Sequence, residues 1–248
     1  MQEASHQQFR AEQGNWLSRG RSRLIAELIA RHLPLTDERP QLLEIGAGFG
    51  ENLATLDRFG AVDVIEIAQA PADHLATLAE ARTLHRQPVP DLVLDQYYHA
   101  IVAWDVLEHI ERHDLAIDWI HDHLTPGGVL LAAVPAYDWL FSDHDRALDH
   151  YRRYTRARLA RLVGERLHLR FTSYFNTTLF PLAVTSRVLW QTQRRLLGRS
   201  GTPEKQPSSA SGPIDDCLGR VLAWEARRVG AGWRAPFGLT AIAVAERA

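Results

Sequence analysis

Cysteine is nearly absent from this 248-residue chain. The lone Cys217 excludes an internal disulfide framework and fits a reducing compartment. No run of 18 uninterrupted apolar residues occurs, which argues against a membrane span. The first twenty residues are polar and lack an apolar signal core, so a cytoplasmic protein is expected. Net charge is only −2, and no basic stripe with interleaved aromatics stands out, so nucleic acid is not an expected partner. With 46% hydrophobic and 23% charged residues the composition is that of a globular chain. Its length suits one α/β domain with decoration.

Glycine, by contrast, is concentrated where it carries information. The apolar run Leu42–Ile45 leads into Gly46, Gly48 and Gly50 at alternate positions, with Glu44 just ahead and Glu66 twenty residues beyond Gly46. A buried parallel strand is a continuous apolar run. Glycines past its end let the backbone turn tightly and approach a ligand. A carboxylate at the tip of the next strand accepts the hydrogen bonds of a ribose diol. Together they predict a pocket for an adenosine-type cofactor. The spacing is G-x-G-x-G instead of the dinucleotide G-x-G-x-x-G.

Helical periodicity runs from Asn15 to Leu33, and crossover helices are expected at Leu53–Phe59, Pro71–Arg82 and His113–Leu124. Strands are expected at Leu42–Ile45, Val62–Ile67, weakly near Thr83–Val89, at Ile101–Trp104 and at Val129–Val134. This alternation predicts an α/β, doubly wound, mostly parallel sheet with ligands at the carboxyl ends of its strands. A basic helix follows Thr155, and Leu169–Tyr174 and Leu239–Ala245 complete the sheet as a C-terminal strand pair. Between them lies a helical insertion at about 176–235: a helix near Leu179–Leu197, a flexible linker Gly198–Pro213 with ten Gly, Ser or Pro residues in sixteen, and a helix near Ile214–Val229. The whole is expected as a single domain, with a lead helix at about 14–33 and a core at about 40–175 plus 236–248.

Three further segments add to the glycine loop: Asp105-Val106-Leu107-Glu108-His109-Ile110 after a strand, the Leu-Thr-Pro-Gly-Gly-Val-Leu turn at 124–130, and Trp16 with Arg19 and Arg21 on the lead helix. In this order they resemble the motifs of the class I S-adenosylmethionine (SAM) methyltransferases. The lead helix is loosely similar to that of small-molecule and quinone-biosynthesis methyltransferases. The resemblance implies a Rossmann-like fold with an antiparallel C-terminal pair, SAM as cofactor and a small-molecule acceptor. It places Glu44, Gly46, Ala47, Gly48 and Gly50 around the methionine end of SAM and Glu66 on the ribose hydroxyls. Ile67 and Leu92 would flank the adenine, Asp91 would face its amine or be a plain loop acid, and Asp105 and Val106 would close the far side.

Methyl transfer requires the acceptor in line with the methyl group, and a hydroxyl or amine acceptor must also lose a proton. Histidine suits that base role. His109 is one candidate, with helix packing as its other use. His144 and His150, in the loop after the fifth strand, are the others. In that loop Tyr151, Arg152 and Arg153 either bind an anionic acceptor or pair with neighbouring charges. A metal at Asp143, His144, Asp145 and His150 is set aside, because a solvated polar loop explains those residues and no ligand spacing supports one. Trp139 and Phe141 serve as core or as an aromatic wall. The helix near 179–197 carries a basic face and an apolar face with Trp190, suited to a lid, a dimer contact, or a membrane surface or lipid-linked acceptor. O-methylation is favoured. A nicotinamide-dependent oxidoreductase and a non-catalytic SAM-fold interaction module are the rival readings.

Overall fold

A computed structural model describes residues 14–185 and 212–248. Helix α1 (Trp16–His32) begins at Asn15, whose side chain accepts the N–H groups of Leu17 and Ser18 at 2.9 Å. This satisfies two of the first-turn donors that a helix leaves free. Chain order then runs β1 (Gln41–Ile45), α2 (Leu53–Leu56), β2 (Ala61–Ile65), α3 (Gln69–Leu75), β3 (Ala81–His85), β4 (Tyr98–Trp104), α4 (His113–His123) and β5 (Leu124–Pro135). After them come α5 (Asp143–Ala147), α6 (Arg156–Gly164), β6 (His168–Phe175), α7 (Pro213–Gly230) and β7 (Thr240–Glu246).

Seven strands form one sheet in the order β3-β2-β1-β4-β5-β7-β6. The first five are mutually parallel, and β7 runs antiparallel to both β5 and β6. This is the Rossmann-like arrangement expected from the sequence. Strand order reverses between β1 and β4, and in such sheets that switch point opens a crevice at the carboxyl ends. Successive strand residues face opposite layers. Leu43, Ile45, Ile101 and Ala103 pack with Ile117 and Ile120 of α4 and Leu159 of α6. Leu42, Val62, Val64 and Val102 pack with Leu24, Ile25 and Leu28 of α1 and Leu222 of α7.

The second helix of the insertion docks on the lead helix. Asp215 accepts the Trp16 N–H at 3.0 Å through Oδ1 and pairs with Arg19 at 2.8 Å through Oδ2. A Cβ at Gly20 would lie 2.7 Å from the Leu222 Cβ, so glycine allows the two helices this approach. Of the helix expected near 179–197, only the helical residues 180–185 are described. The rest of it, and the expected linker apart from 212 and 213, lie outside the described residues. No helix among the described residues is long and apolar enough to cross a membrane.

Several boundaries differ from expectation: β3 spans Ala81–His85 instead of Thr83–Val89, β2 ends at Ile65 instead of Ile67, and β4 and β5 begin earlier, at Tyr98 and Leu124. The helix expected to reach Arg82 ends at Leu75, and β3 begins at Ala81. The reason lies across the sheet: Arg82 donates to the buried Asp63 of β2 at 2.8 Å through Nε, and β3 pairs with β2. The crossover helix expected to Phe59 is a single turn, α2.

Candidate active site

The loop after β1 is built from backbone. Gly46, Gly48 and Gly50 have φ of +71°, +54° and +81°, a region that side chains with a Cβ rarely adopt. The N–H groups of Gly46 and Ala47 donate to the Ile65 carbonyl at 2.8 and 3.2 Å, which ties the loop to the end of β2. At Gly46 a Cβ would meet Val106 at 2.8 Å, and at Gly50 it would meet Leu78, Leu53 and Leu75. These two glycines are therefore required by packing. Gly48 differs, because a Cβ there would find nothing within 4 Å. Its Cα lines open space that a ligand can fill.

Two carboxylates frame this cradle. Glu66 accepts the Gly48 N–H through Oε2 and the Ala68 N–H through Oε1, both at 2.8 Å. Each oxygen keeps a second lone pair for a hydroxyl. Glu44 is buried, with Oε1 held by Asn52 Nδ2 at 2.7 Å and Oε2 without a partner. Burial pushes its carboxyl up to about 8, with Glu51 and Glu66 adding repulsion against the Asn52 hydrogen bond. A buried carboxylate oxygen without a donor suits a cationic or N–H-bearing ligand. The open glycine, the ribose-side acid and the orphaned oxygen together fit a cofactor with a sugar, an amino acid and positive charge.

Across the crevice, Asp105 follows β4 at φ +50°, and Tyr137 follows β5 at +63°. Left-handed conformations at such residues cost about 1–2 kcal/mol and cluster at functional sites. Asp105 Oδ2 lies 2.8 Å from Arg21 Nη2 of α1, though not aligned for a hydrogen bond.

One turn further the chain places Glu108, His109 and His150 together, with one ligand-type atom from each within 4.8 Å of the others. Glu108 is fully buried and neither carboxylate oxygen has a partner. Burial, then the nearby Asp105 charge, raises its carboxyl well above the usual range. Burial and the neighbouring His150 push His109 down to about 4. The His109 and His150 rings meet edge to face at 4.4 Å between centroids.

His150 is held from behind. Its Nδ1 lies 3.1 Å from Oδ1 of the buried Asp145, which also accepts Arg153 Nε at 2.7 Å. The Ser142 N–H and hydroxyl donate to Asp145 Oδ2 at 2.8 and 2.7 Å, closing a capping box at the start of α5. Burial works to raise the Asp145 carboxyl, but the His150 and Arg153 hydrogen bonds outweigh it and hold it well below the usual range.

Several residues stand elsewhere than the sequence suggested. Arg152 donates to the carbonyls of Ile110 and Glu111 at 2.9 Å, and Arg153 to Asp145 and the Ala136 carbonyl. Arg152 thus ties its loop to the loop after β4, and Arg153 ties its own loop to the end of β5. Tyr151 is half exposed, and its N–H donates to the Glu108 carbonyl at 2.9 Å. His144, on the first turn of α5, lies outside the Glu108 group. Leu92 is buried in the core, and its carbonyl accepts Trp119 Nε1. Asp91 and Ile67 are exposed. Sequence reasoning did not assign a role to Glu108, Asp145 or Asn52. The carboxylate beside an imidazole directly after a strand was the available signal for Glu108.

Aromatic side chains line the same sheet edge, since Pro135, Thr240 and Phe175 are in register across β5, β7 and β6. Tyr137 stacks on Tyr174 at 5.3 Å, with Trp139 and Phe180 at 5.7 and 5.5 Å from it. Trp139 remains 54% exposed, so it is a wall facing solvent and not core.

Residues 17–175 match the profile of a family described as a methyltransferase domain. The chain belongs to this methyltransferase family. It is a SAM-dependent methyltransferase, and SAM is the cofactor that its glycine loop and two carboxylates fit. The oxidoreductase and non-catalytic readings are set aside. Three solved structures share the fold. A chain from the complex of the Haloferax volcanii Trm112 methyltransferase activator with its methyltransferase partner is 14% identical at TM-score 0.61, covering 99% of this chain and 95% of that one. A S-adenosylmethionine-dependent methyltransferase from Clostridium acetobutylicum is 10% identical at TM-score 0.55, covering 94% and 92%. The [4+2]-cyclase SpnF is 17% identical at TM-score 0.53, covering 90% and 80%. A cyclase among them means that the fold by itself does not fix a reaction. No curated protein sequence matches the chain.

Proposed function

We propose that this enzyme methylates a hydroxyl of a small-molecule acceptor that rests a ring or apolar face on the Trp139–Tyr137 wall. The observation that carries this reading is the Glu108–His109–His150 group, with Glu108 buried and the two histidines partly so. It lies directly past Val106, which packs on the cofactor loop at Gly46. A hydroxyl is a weak nucleophile until it loses its proton, whereas a neutral amine needs no prior deprotonation. Polar groups gathered at the acceptor end therefore favour oxygen as the methylated atom.

When bound, SAM supplies an electrophilic methyl on a sulfonium that leaves as a neutral thioether. The chain's own residues do the rest. Glu66 receives the ribose hydroxyls, Glu44 the charged methionine end, and Gly48 lets the backbone lie close. Ile67 and Asp91, exposed beyond β2 and β3, are available to the adenine. Asp105 and Val106 close the acceptor side, with Arg21 holding Asp105 to the lead helix. Positioning of this kind contributes up to about 7–11 kcal/mol of a barrier. The Glu108 group stands where the acceptor hydroxyl is made to lose its proton. The engagement of Arg152 by the Ile110 and Glu111 carbonyls and of Arg153 by Asp145 lowers the case for an anionic acceptor.

The test is a panel of ring-bearing alcohols, phenols, sugars and amines with methyl-labelled SAM, products resolved by mass spectrometry. Ether products are expected. Methylation confined to amines would contradict the oxygen assignment.

A further inference from the structure

We propose that Glu108, His109 and His150 form a binding site for a divalent transition-metal cation, and that this cation activates the acceptor hydroxyl. The cation's role rests on the hydroxyl reading above, but its binding does not.

The geometry is that of a ligand set. One carboxylate and two imidazoles offer atoms within 4.8 Å of one another, so a modest contraction brings all three onto one ion. Each imidazole is already oriented by a second contact. His150 Nδ1 is held by the buried Asp145, which is itself fixed by Arg153 and Ser142, leaving Nε2 for a metal. The His109 ring packs edge to face on His150, at 4.4 Å between centroids. Metal-binding histidines characteristically carry such a carboxylate or carbonyl on the far nitrogen, which fixes the tautomer.

Glu108 supplies the independent observation. It is fully buried, and neither oxygen has a hydrogen-bond partner among the described residues. A buried polar group without a partner is costly, and a cation removes that cost. No lysine or arginine hydrogen-bonds or ion-pairs with it among the described residues; Arg21 and Arg153 act on it only through their fields. Mixed imidazole and carboxylate donors suit zinc, manganese or iron over calcium. Three protein ligands leave coordination positions open for an incoming oxygen, as catalytic sites do.

The chemistry balances without a further reactant. The acceptor oxygen binds the cation, its O–H bond breaks, and the proton passes to water. The oxygen's electron pair then forms the new O–C bond as the C–S pair returns to sulfur. A bound cation lowers the pKa of an attached oxygen by several units.

The experiment titrates Mn2+, and in parallel Zn2+, into the chelator-stripped full-length protein. Manganese is followed by loss of its free-ion paramagnetic resonance signal and zinc by calorimetry. One site per chain is expected, weakened at least tenfold in Glu108→Gln and in His150→Ala and unchanged in His121→Ala, a substitution on α4. S-adenosylhomocysteine binding by the same samples verifies that each variant is folded. Absence of stoichiometric Mn2+ and Zn2+ binding to the wild type would overturn the proposal. Equal metal binding by wild type, Glu108→Gln and His150→Ala would overturn it as well. Retained homocysteine-adduct binding with no metal site leaves the methyltransferase standing and removes the cation. Metal binding with only N-methyl products retains the site and removes its assigned role.

Discussion

The two sides of the crevice are built differently. On the β1–β2 side the loop is backbone, and Glu66 is held by two backbone N–H donors at 2.8 Å. On the β4–β5 side the groups are side chains drawn from loops 42 residues apart, and Glu108 has no side-chain hydrogen-bond partner among the described residues. Backbone makes a rigid cradle for a cofactor that never varies. Side chains on loops are the variable means by which one fold is fitted to different acceptors. Each side keeps a buried carboxylate oxygen without a partner among the described residues, Glu44 Oε2 on one and both Glu108 oxygens on the other.

The largest expected effect comes from breaking the support of the acceptor side. Asp145→Ala leaves Arg153 and His150 without their shared partner, and removing one member of a buried ion pair costs about 3–5 kcal/mol. Denaturant unfolding should register that loss, and a loss under 1 kcal/mol would mean that the network is not load-sharing. Next comes Glu44. Its folded carboxyl, near 8, lies above the unfolded value of 4.5, so the fold favours the protonated form. Stability linked to it is complete below pH 4.5 and declines as pH rises to about 8, by several kcal/mol at most. Glu44→Gln should flatten the stability profile of the ligand-free protein across that window, which thermal melts from pH 5 to 8 will show.

Gly48→Asp sharpens the contrast between the sides. It places a side chain and a negative charge in the open cradle, and S-adenosylhomocysteine affinity should fall by about 100-fold or more, or about 2.7 kcal/mol. The smallest effect is expected for Arg21→Ala. Its pair with Asp105 is partly exposed, so stability should change by about 1 kcal/mol or less. A larger change in melting would assign Arg21 a structural role beyond that pair.

Legibility followed the same division. Glycines at positive φ, an apolar strand and a spaced acid are local signals, and they located Gly48, Glu44 and Glu66 before any coordinates. The parallel sheet was equally legible from alternation. The end of the 69–75 helix was not, because its Ala/Leu composition continues while the Arg82–Asp63 contact that favours a strand lies across the sheet. His150 is brought to Glu108 by non-local pairings that spacing does not reveal, the Tyr151 N–H on the Glu108 carbonyl and Arg152 on those of Ile110 and Glu111. For Arg152 and Arg153 the sequence left acceptor binding and pairing with neighbouring groups open, because it does not display which carbonyls lie within reach.

The most direct measurement is calorimetric titration of S-adenosylhomocysteine into the wild type, Gly48→Asp and Glu108→Gln. Micromolar binding by the wild type, equal binding by Glu108→Gln and none by Gly48→Asp is the expected result. Normal binding by Gly48→Asp, or a loss in Glu108→Gln as deep as in Gly48→Asp, would contradict the division between a self-sufficient cofactor cradle and a separate acceptor side.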